Sequence, residues 1–445
     1  MTDPLPIQPF TRPVRGEVTL PGSKSITNRA LLLAALCENE VLLENTLFSQ
    51  DTRVMMAALL ELGFKVQADE TNLTIRVEGK GGVIPRKNAS LQVGNAGTAA
   101  RFLAAFCASS NLGTFQFDGD PQMRYRPMKG LLDGLRRMGA QVQTPNDCFP
   151  LTIKSRGLSG GEITIDASAS SQFLSAILMV APRARQDVIL RLDGDTVSKP
   201  FINMTLSMMN QFGQPLFGQV SPNVYRVECG TPYRAPVAGV FGIEGDATAA
   251  SYFLALPSVV GGEILIPGLR FSGLQGDVDF VKVLNKTGSS VEATPRGMEA
   301  RVADPTKARR AVTYDFADIS DTFLTLAAIA PLYEGETRIT GIGHTRKQET
   351  DRVKAMATEL KRLGAEVKEE EDSLTIIGNP RALRSGQIVR TYQDHRIAMS
   401  FAILGSYDLL GNGQPWLSIK DPGCCAKTFP HFFTVLDDLR KASQD

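Results

Sequence analysis

Two kinds of helical segment alternate along the chain. One kind is apolar on nearly every side: NRALLLAAL from Asn28, GTAARFLAAF from Gly97, SSQFLSAILM from Ser170, ATAASYFLAL from Ala247, SDTFLTLAAIA from Ser320 and DHRIAMSFAIL from Asp394. That composition predicts helices buried all round. The other kind is more polar and ends at a glycine, as in LLELGFKV (Gly63), LRRMGAQV (Gly139), MNQFGQPL (Gly213), LNKTGSSV (Gly288) and LKRLGAEV (Gly364). Subtracting positions gives separations of 76, 74, 75 and 76 residues, and self-similarity at a fixed period predicts a repeat architecture. Each glycine stands where a helix C-cap calls for left-handed backbone angles, and a short apolar strand follows it. A second strand recurs downstream, most plainly as Leu-Thr-Ile at Leu73, Leu151 and Leu374, with its apolar residues alternating. One more step along the lattice falls near Leu439, inside PHFFTVLDDLRKA, which is expected to be the sixth polar helix.

Six units of about 75 residues therefore fill the 445-residue chain, which is too long for one ordinary core. Grouped three and three, they give two similar domains of α/β (α+β) class. The N-terminal strand GEVTLPG precedes the first buried helix and is expected to cross to the other domain, with a second crossing near Val240. The expected boundaries are residues 22–240 for one domain and residues 1–21 plus 241–445 for the other.

Polar and charged residues concentrate just before the helices, where free N–H groups and the helix dipole favour an anion. Ahead of the buried helices stand Lys24, Ser25 and Arg29; Asn95, Gly97, Thr98 and Arg101; Ser170, Ser171 and Gln172; Glu244 and Asp246; Asp318 and Asp321; and Asp394, His395 and Arg396. Ahead of the polar helices stand Asp51 and Arg53, Arg124 and Arg126, Ser198 and Lys199, Gln275 and Asp277, Glu349 to Arg352, and Lys427. Ser170, Asp246 and Asp318, each taken alone, are expected to be helix caps, and Asp51 and Asp277 are expected to be structural. Arginine at a helix start opposes the dipole, so Arg29, Arg101, Arg352 and Arg396 call for carboxylate or phosphate partners, from the protein or a substrate.

Composition narrows the chemistry. Forty-eight basic against 47 acidic residues, net +1, offer no global field for nucleic acid or an anionic membrane. Six scattered cysteines and three histidines lack the spacing of a zinc or redox motif, so no metal is expected. GSKS misses the Walker pattern and GNAGTA lacks a third glycine, which leaves no cofactor motif. No leader-like or membrane-spanning run stands out, and a cytoplasmic location is expected.

The motifs LPGSKSITNRALLLAAL, GNAGTAARFLAAF, SSQFLSAILM, VSKPFI, EGDATAASYF, QETDR, DHRIAM and DPGCCAKTFP resemble the enolpyruvyl transferases, in that family's order and along the whole chain. The resemblance implies two domains, each of three βαβαββ-type repeats with buried helices, an inside-out, barrel-like α/β arrangement closing around substrates. It also implies transfer of the enolpyruvyl group of phosphoenolpyruvate to the 5-hydroxyl of shikimate 3-phosphate through a tetrahedral intermediate, in aromatic amino acid biosynthesis. No cofactor or metal is implied. Lys24, Ser25, Arg29, Ser170, Ser171, Gln172, Ser198, Asp321 and Gln348 would hold shikimate 3-phosphate. Lys24, Asn95, Gly97, Thr98, Arg126, Gln172, Arg352, Arg396 and Lys427 would hold phosphoenolpyruvate. Lys24, Asp321, Glu349 and His395 would be the catalytic set, with Asp321 taking the hydroxyl proton and Glu349, near Lys24, protonating the methylene carbon. A monomer inhibited by glyphosate is the implied form.

This chain departs from the family pattern at three places. Gln348 stands where lysine is usual, with Lys347 one residue earlier; Phe201 replaces a common tyrosine; and Phe102 replaces a frequent proline, which predicts altered glyphosate sensitivity. The sister activity toward UDP-N-acetylglucosamine normally uses a cysteine in the loop that corresponds to residues 119–126, where this chain has none. A non-catalytic repeat protein would present aromatic anchors on its binding face rather than these charged helix starts.

Overall fold

The computed structural model describes residues 2–194, 197–215, 219–221, 223–307 and 309–444. The chain divides into two compact units, a first of Met1–Pro21 with Gly245–Asp445 and a second of Gly22–Glu244. In the second unit the helices are α1 (Lys24–Leu36), α2 (Gln50–Glu61), α3 (Gly97–Ala108), α4 (Lys129–Arg137), α5 (Ser171–Val180) and α6 (Lys199–Gln211). In the first they are α7 (Ala247–Val260), α8 (Phe280–Thr287), α9 (Phe323–Ile329), α10 (Arg352–Arg362), α11 (His395–Gly405) and α12 (Phe432–Ala442).

Odd-numbered helices are the apolar ones, and nearly every residue in them is buried. Within each unit they pack on one another: α3 against α1 and α5 in the second, and α7, α9 and α11 mutually in the first. A helix that is apolar all round has no solvent-tolerant face, so it must sit inside. Even-numbered helices keep an exposed polar stripe. The five lattice glycines that end five of the repeats all have positive φ, from 84° at Gly213 to 104° at Gly288, as left-handed caps require.

Each unit carries three small sheets. A typical sheet, such as that of Asn88–Gln92, Gly113–Asp118, Leu151–Ser155 and Gln141–Gln143, pairs its first two strands in parallel across a buried helix and its remaining pairs antiparallel. The Leu-Thr-Ile tripeptides lie in the central antiparallel strands Thr74–Glu78, Leu151–Ser155 and Ser373–Gly378, or at the edge of one. The sheets remain separate among the described residues, so helices form each unit's centre without a closed barrel around them.

Two strands exchange between the sequence halves. Val14–Glu17 precedes α1 yet pairs in parallel with Gly262–Leu265 of the first unit, while Val240–Gly242 precedes α7 and pairs with Leu42–Glu44 of the second. That pairing puts the second crossing after Glu244 rather than at Val240, because residues 240–242 are needed to complete the second unit's sheet. No helix among the described residues is long and apolar enough to cross a membrane.

Candidate active site

In the second unit, Arg29 in the second turn of α1 reaches Thr205 Oγ1 of α6 at 2.8 Å and Ser175 Oγ of α5 at 3.3 Å. These partners lie at similar distances from their own helix starts, so α1, α5 and α6 meet near their N-terminal ends. Arg101, in the first turns of α3, donates to Gln172 Oε1 of α5 at 2.6 Å and adds a fourth helix start to the group. The positive ends of four helix dipoles thus collect at one place, which favours an anion there.

Most of the expected side chains of this unit line that end. Lys24, the first residue of α1, pairs with Asp51 at 3.3 Å, and both are buried. Asp51 had a structural reading in the sequence; the capping of α2 falls instead to Ser49 with Thr52, which leaves Asp51 to hold Lys24. Arg126 donates to the backbone and side-chain oxygens of Asn95 at 3.1 and 3.2 Å, which lays its guanidinium across the start of α3. A Cβ on Gly97 would stand 2.7 Å from that guanidinium, so glycine is what permits the approach. Thr98 and Ser171 are buried, whereas Ser25 and Gln172 are half-buried. Ser170 does cap α5, accepting from the Gln172 N–H at 3.2 Å, but its hydroxyl hydrogen can still donate to a ligand. Ser198 adopts a left-handed φ of 54° at the start of α6.

Arg29 is the exception to ordinary pairing. Arg29 is 1% exposed, and among the described residues its guanidinium meets only neutral oxygens: Thr205, Ser175 and the carbonyls of Ser25 and Phe201. The rings of Phe102 and Phe201 lie 5.1 and 5.9 Å from its Cζ. Burial pushes its pKa down to about 9. A cation held dry without a counter-charge is a strong site for an incoming carboxylate or phosphate.

In the first unit the charges are balanced. Arg352, the first residue of α10, is almost fully buried and binds Asp394 (Nε to Oδ2, 2.7 Å), Asp321 (Nη1 to Oδ1, 2.8 Å) and Glu349 (Nη2 to Oε2, 2.9 Å). Its Nη1 also donates to Gln348 Oε1. Arg396 takes the other Asp321 oxygen at 2.8 Å, and Lys427 Nζ lies 4.0 Å from Glu349 Oε1. Burial opposes the charge on Arg352, yet Asp394, Glu349 and Asp321 outweigh it and raise its pKa. Burial likewise opposes the charge on Arg396, and Asp321 leads the groups that raise its pKa. Three cations and three carboxylates interlock at the starts of α9, α10 and α11 and at the end of the turn Pro422–Lys427 that precedes α12. Gln348 faces this cluster while Lys347 is exposed.

Asp394 has two roles at once. It caps α11, accepting from the Arg396 N–H at 2.9 Å, and it aims Arg352, yet an aspartate before a helix looks like any other cap. Asp246 caps α7 as expected, but Asp318 is exposed and does not cap α9. His395 is fully buried, with Nδ1 3.6 Å from Asp394 Oδ1, which gives it a place behind the cluster rather than at its surface. Asp277 is also buried, and its carboxylate accepts from Thr248 Oγ1. Burial, with Asp321 nearby, pushes its pKa up to about 7.

A model of the EPSP synthase (3-phosphoshikimate 1-carboxyvinyltransferase) family matches residues 10–436. The chain belongs to that family. It is 52% identical over 448 residues to the 3-phosphoshikimate 1-carboxyvinyltransferase of Opitutus terrae, covering 100% of this chain and 99% of that protein. The protein of that name from Photobacterium damsela subsp. piscicida is 42% identical, with 98% and 99% covered. Among solved structures, EPSP synthase from Acinetobacter baumannii superposes with a TM-score of 0.78 at 22% identity, over 98% of each chain. The enolpyruvyl transferase NikO from Streptomyces tendae gives 0.75 at 16% identity, over 99% of this chain and 98% of that one. These structural likenesses establish the fold; membership of an enzyme family rests on the first three findings.

Proposed function

We propose that this enzyme transfers the enolpyruvyl group of phosphoenolpyruvate to the 5-hydroxyl of shikimate 3-phosphate and releases phosphate. The observation that carries the reading is the contrast between two anion-directed sets: a buried Arg29 without a counter-charge among the described residues in one unit, and an interlocked Arg352–Asp321–Arg396–Glu349 cluster in the other. The first suits the carboxylate of shikimate 3-phosphate, whose phosphate would take Ser170, Ser171 and Ser198. The second suits phosphoenolpyruvate; Arg126, Gln172 and Gly97 are further proposed ligands of that substrate.

When phosphoenolpyruvate takes Arg352, Arg396 and Lys427 as partners, Asp321 and Glu349 lose part of their cationic company and gain proton affinity. Asp321 then accepts the proton of the 5-hydroxyl as its oxygen bonds to C2 of phosphoenolpyruvate, while Glu349, carrying a proton, delivers it to C3. The adduct collapses as the C2–O bond to phosphate breaks, Glu349 removes a proton from the new methyl group, and phosphate leaves with the proton from Asp321. Atoms balance, and both carboxylates return to their starting forms. The cations hold charge in place at each stage.

Every group in this scheme comes from one chain, so a monomer suffices. The free thiols of Cys37, Cys107, Cys148, Cys229, Cys424 and Cys425 suit the cytoplasm. Glyphosate is a further proposed ligand, with sensitivity altered by Phe102, which packs near Arg29. The test of function is phosphate release from purified protein with both substrates, with each omitted in turn, and with UDP-N-acetylglucosamine as the alternative acceptor. Release only with the shikimate pair supports the reading; release with UDP-N-acetylglucosamine, or from one substrate alone, refutes it.

A further inference from the structure

The one carboxylate within α10 sits away from the cluster. Glu359 is 1% exposed and lies seven residues after Arg352, about two helical turns or roughly 10 Å along the same helix. Its Oε1 accepts from Tyr392 Oη at 2.7 Å and its Oε2 from the Arg390 N–H at 3.1 Å, and Arg362 also donates to it. Asp394, four residues after Arg390, meets the other end of α10 through Arg352 Nε at 2.7 Å. The segment 390–394 is thus fastened to α10 at two points.

Between those points the backbone is strained. The Asp394 N–H donates to the Thr391 carbonyl at 2.9 Å, closing a turn whose two central residues, Tyr392 and Gln393, have φ of 54° and 60°. Positive φ at both central positions is the requirement of a mirror-image turn, which glycine and asparagine fill readily and tyrosine and glutamine do not. Such a conformation persists where its surroundings over-determine it. Its effect is to turn the chain so that Asp394 ends under Arg352 and α11 begins at once with His395 and Arg396.

We infer that Glu359 and Tyr392 are positioning residues for phosphoenolpyruvate: by clasping the strained turn they set Asp394, and through it the orientation of the Arg352 guanidinium. The inference rests on the proposed role of Arg352 in holding that substrate. Glu359 and Tyr392 do not enter the set that touches substrate. Burial, with Glu359 beside it, pushes the Tyr392 hydroxyl up to about 12, so at neutral pH it stays protonated and donates.

The test uses the full chain with Tyr392→Phe, which removes one oxygen, and Glu359→Gln, which removes the charge; if the second does not fold, the first carries the test. Steady-state KM is measured for each substrate separately. Expected is a rise of about five- to tenfold in KM for phosphoenolpyruvate, as for loss of a hydrogen bond to a charged group, with KM for shikimate 3-phosphate within twofold of the parent. A merely structural role would lower the active fraction, and so the apparent kcat, while leaving both KM values unchanged. Unchanged KM values, or equal rises in both, overturn the inference. An inactive parent enzyme would sink the transferase reading itself, and this inference with it.

Discussion

Replacing Arg29 by methionine separates binding from stability in opposite directions. The shift of its guanidinium down to about 9 corresponds to on the order of 4 to 5 kcal/mol of desolvation borne by the folded state. The sign follows from a base whose folded pKa is lowered: the penalty is fully present below about pH 8 and is relieved only as pH rises through about 9. Against it stand four hydrogen bonds to neutral oxygens, worth about 1 kcal/mol each. Thr205, Ser175 and the Phe201 carbonyl can pair among themselves without Arg29, since Thr205 Oγ1 lies 2.9 Å from Ser175 Oγ and 2.8 Å from that carbonyl. Methionine fills the space between Phe102 and Phe201 and adds apolar burial. The ligand-free variant is therefore expected to unfold in urea with a free energy equal to the parent's or about 1 to 2 kcal/mol higher, where most large buried replacements lose stability. Shikimate 3-phosphate affinity is expected to fall about 10²-fold with the lost carboxylate partner. At a concentration of 100 times the parent Kd, the ligand should stabilise the parent by about 2.7 kcal/mol and the variant scarcely at all. A variant destabilised by more than about 2 kcal/mol that keeps its affinity for shikimate 3-phosphate would refute the reasoning.

Three further outcomes follow from the geometry. Gly97→Ala places a Cβ 2.7 Å from the Arg126 guanidinium, and the displaced side chain should raise KM for phosphoenolpyruvate about tenfold while the fold is kept; an unchanged KM would show that Arg126 does not need that position. Asp321→Asn and Glu349→Gln should each cut turnover by about 10²-fold or more, and near-normal rates in either variant would remove that residue from the proton-transfer scheme. Asp277, with its folded pKa raised to about 7, binds a proton more tightly when folded than when unfolded. Its contribution to stability should therefore fall as pH rises from about 4 to about 7, and Asp277→Asn should remove that component from the pH dependence of urea unfolding; an identical pH dependence in the variant would contradict the shift.

The repeat was legible because it is written in backbone requirements. A left-handed cap needs glycine at Gly63, Gly139, Gly213, Gly288 and Gly364, and helices such as Gly97–Ala108 show burial by composition alone. The exchange of Val14–Glu17 and Val240–Gly242 was only partly legible, since parallel pairing across 248 residues (Val14 with Gly262) and 198 residues (Leu42 with Val240) leaves no local trace and fixed the second crossing four residues later than expected. Charged helix starts announced the site, but the same side-chain types serve as caps, clamps and ligands. Asp51 therefore looked structural until its partner Lys24 was placed, and Asp394 was one helix-start residue among several until Arg352 was placed on it. That Arg29 meets no charged partner among the described residues is a property of packing that no single position encodes. The turn at Tyr392 and Gln393 was invisible, because its residues are ones that turn preferences argue against.

The scheme's distinctive step is protonation of the phosphoenolpyruvate methylene carbon, which makes a methyl group whose hydrogens become equivalent before one is lost. Running the reaction in D2O and analysing the enolpyruvyl product by mass spectrometry and NMR tests that step directly. Addition followed by elimination predicts solvent deuterium at the product's C3 methylene. A product formed at full rate with no deuterium there would contradict the account.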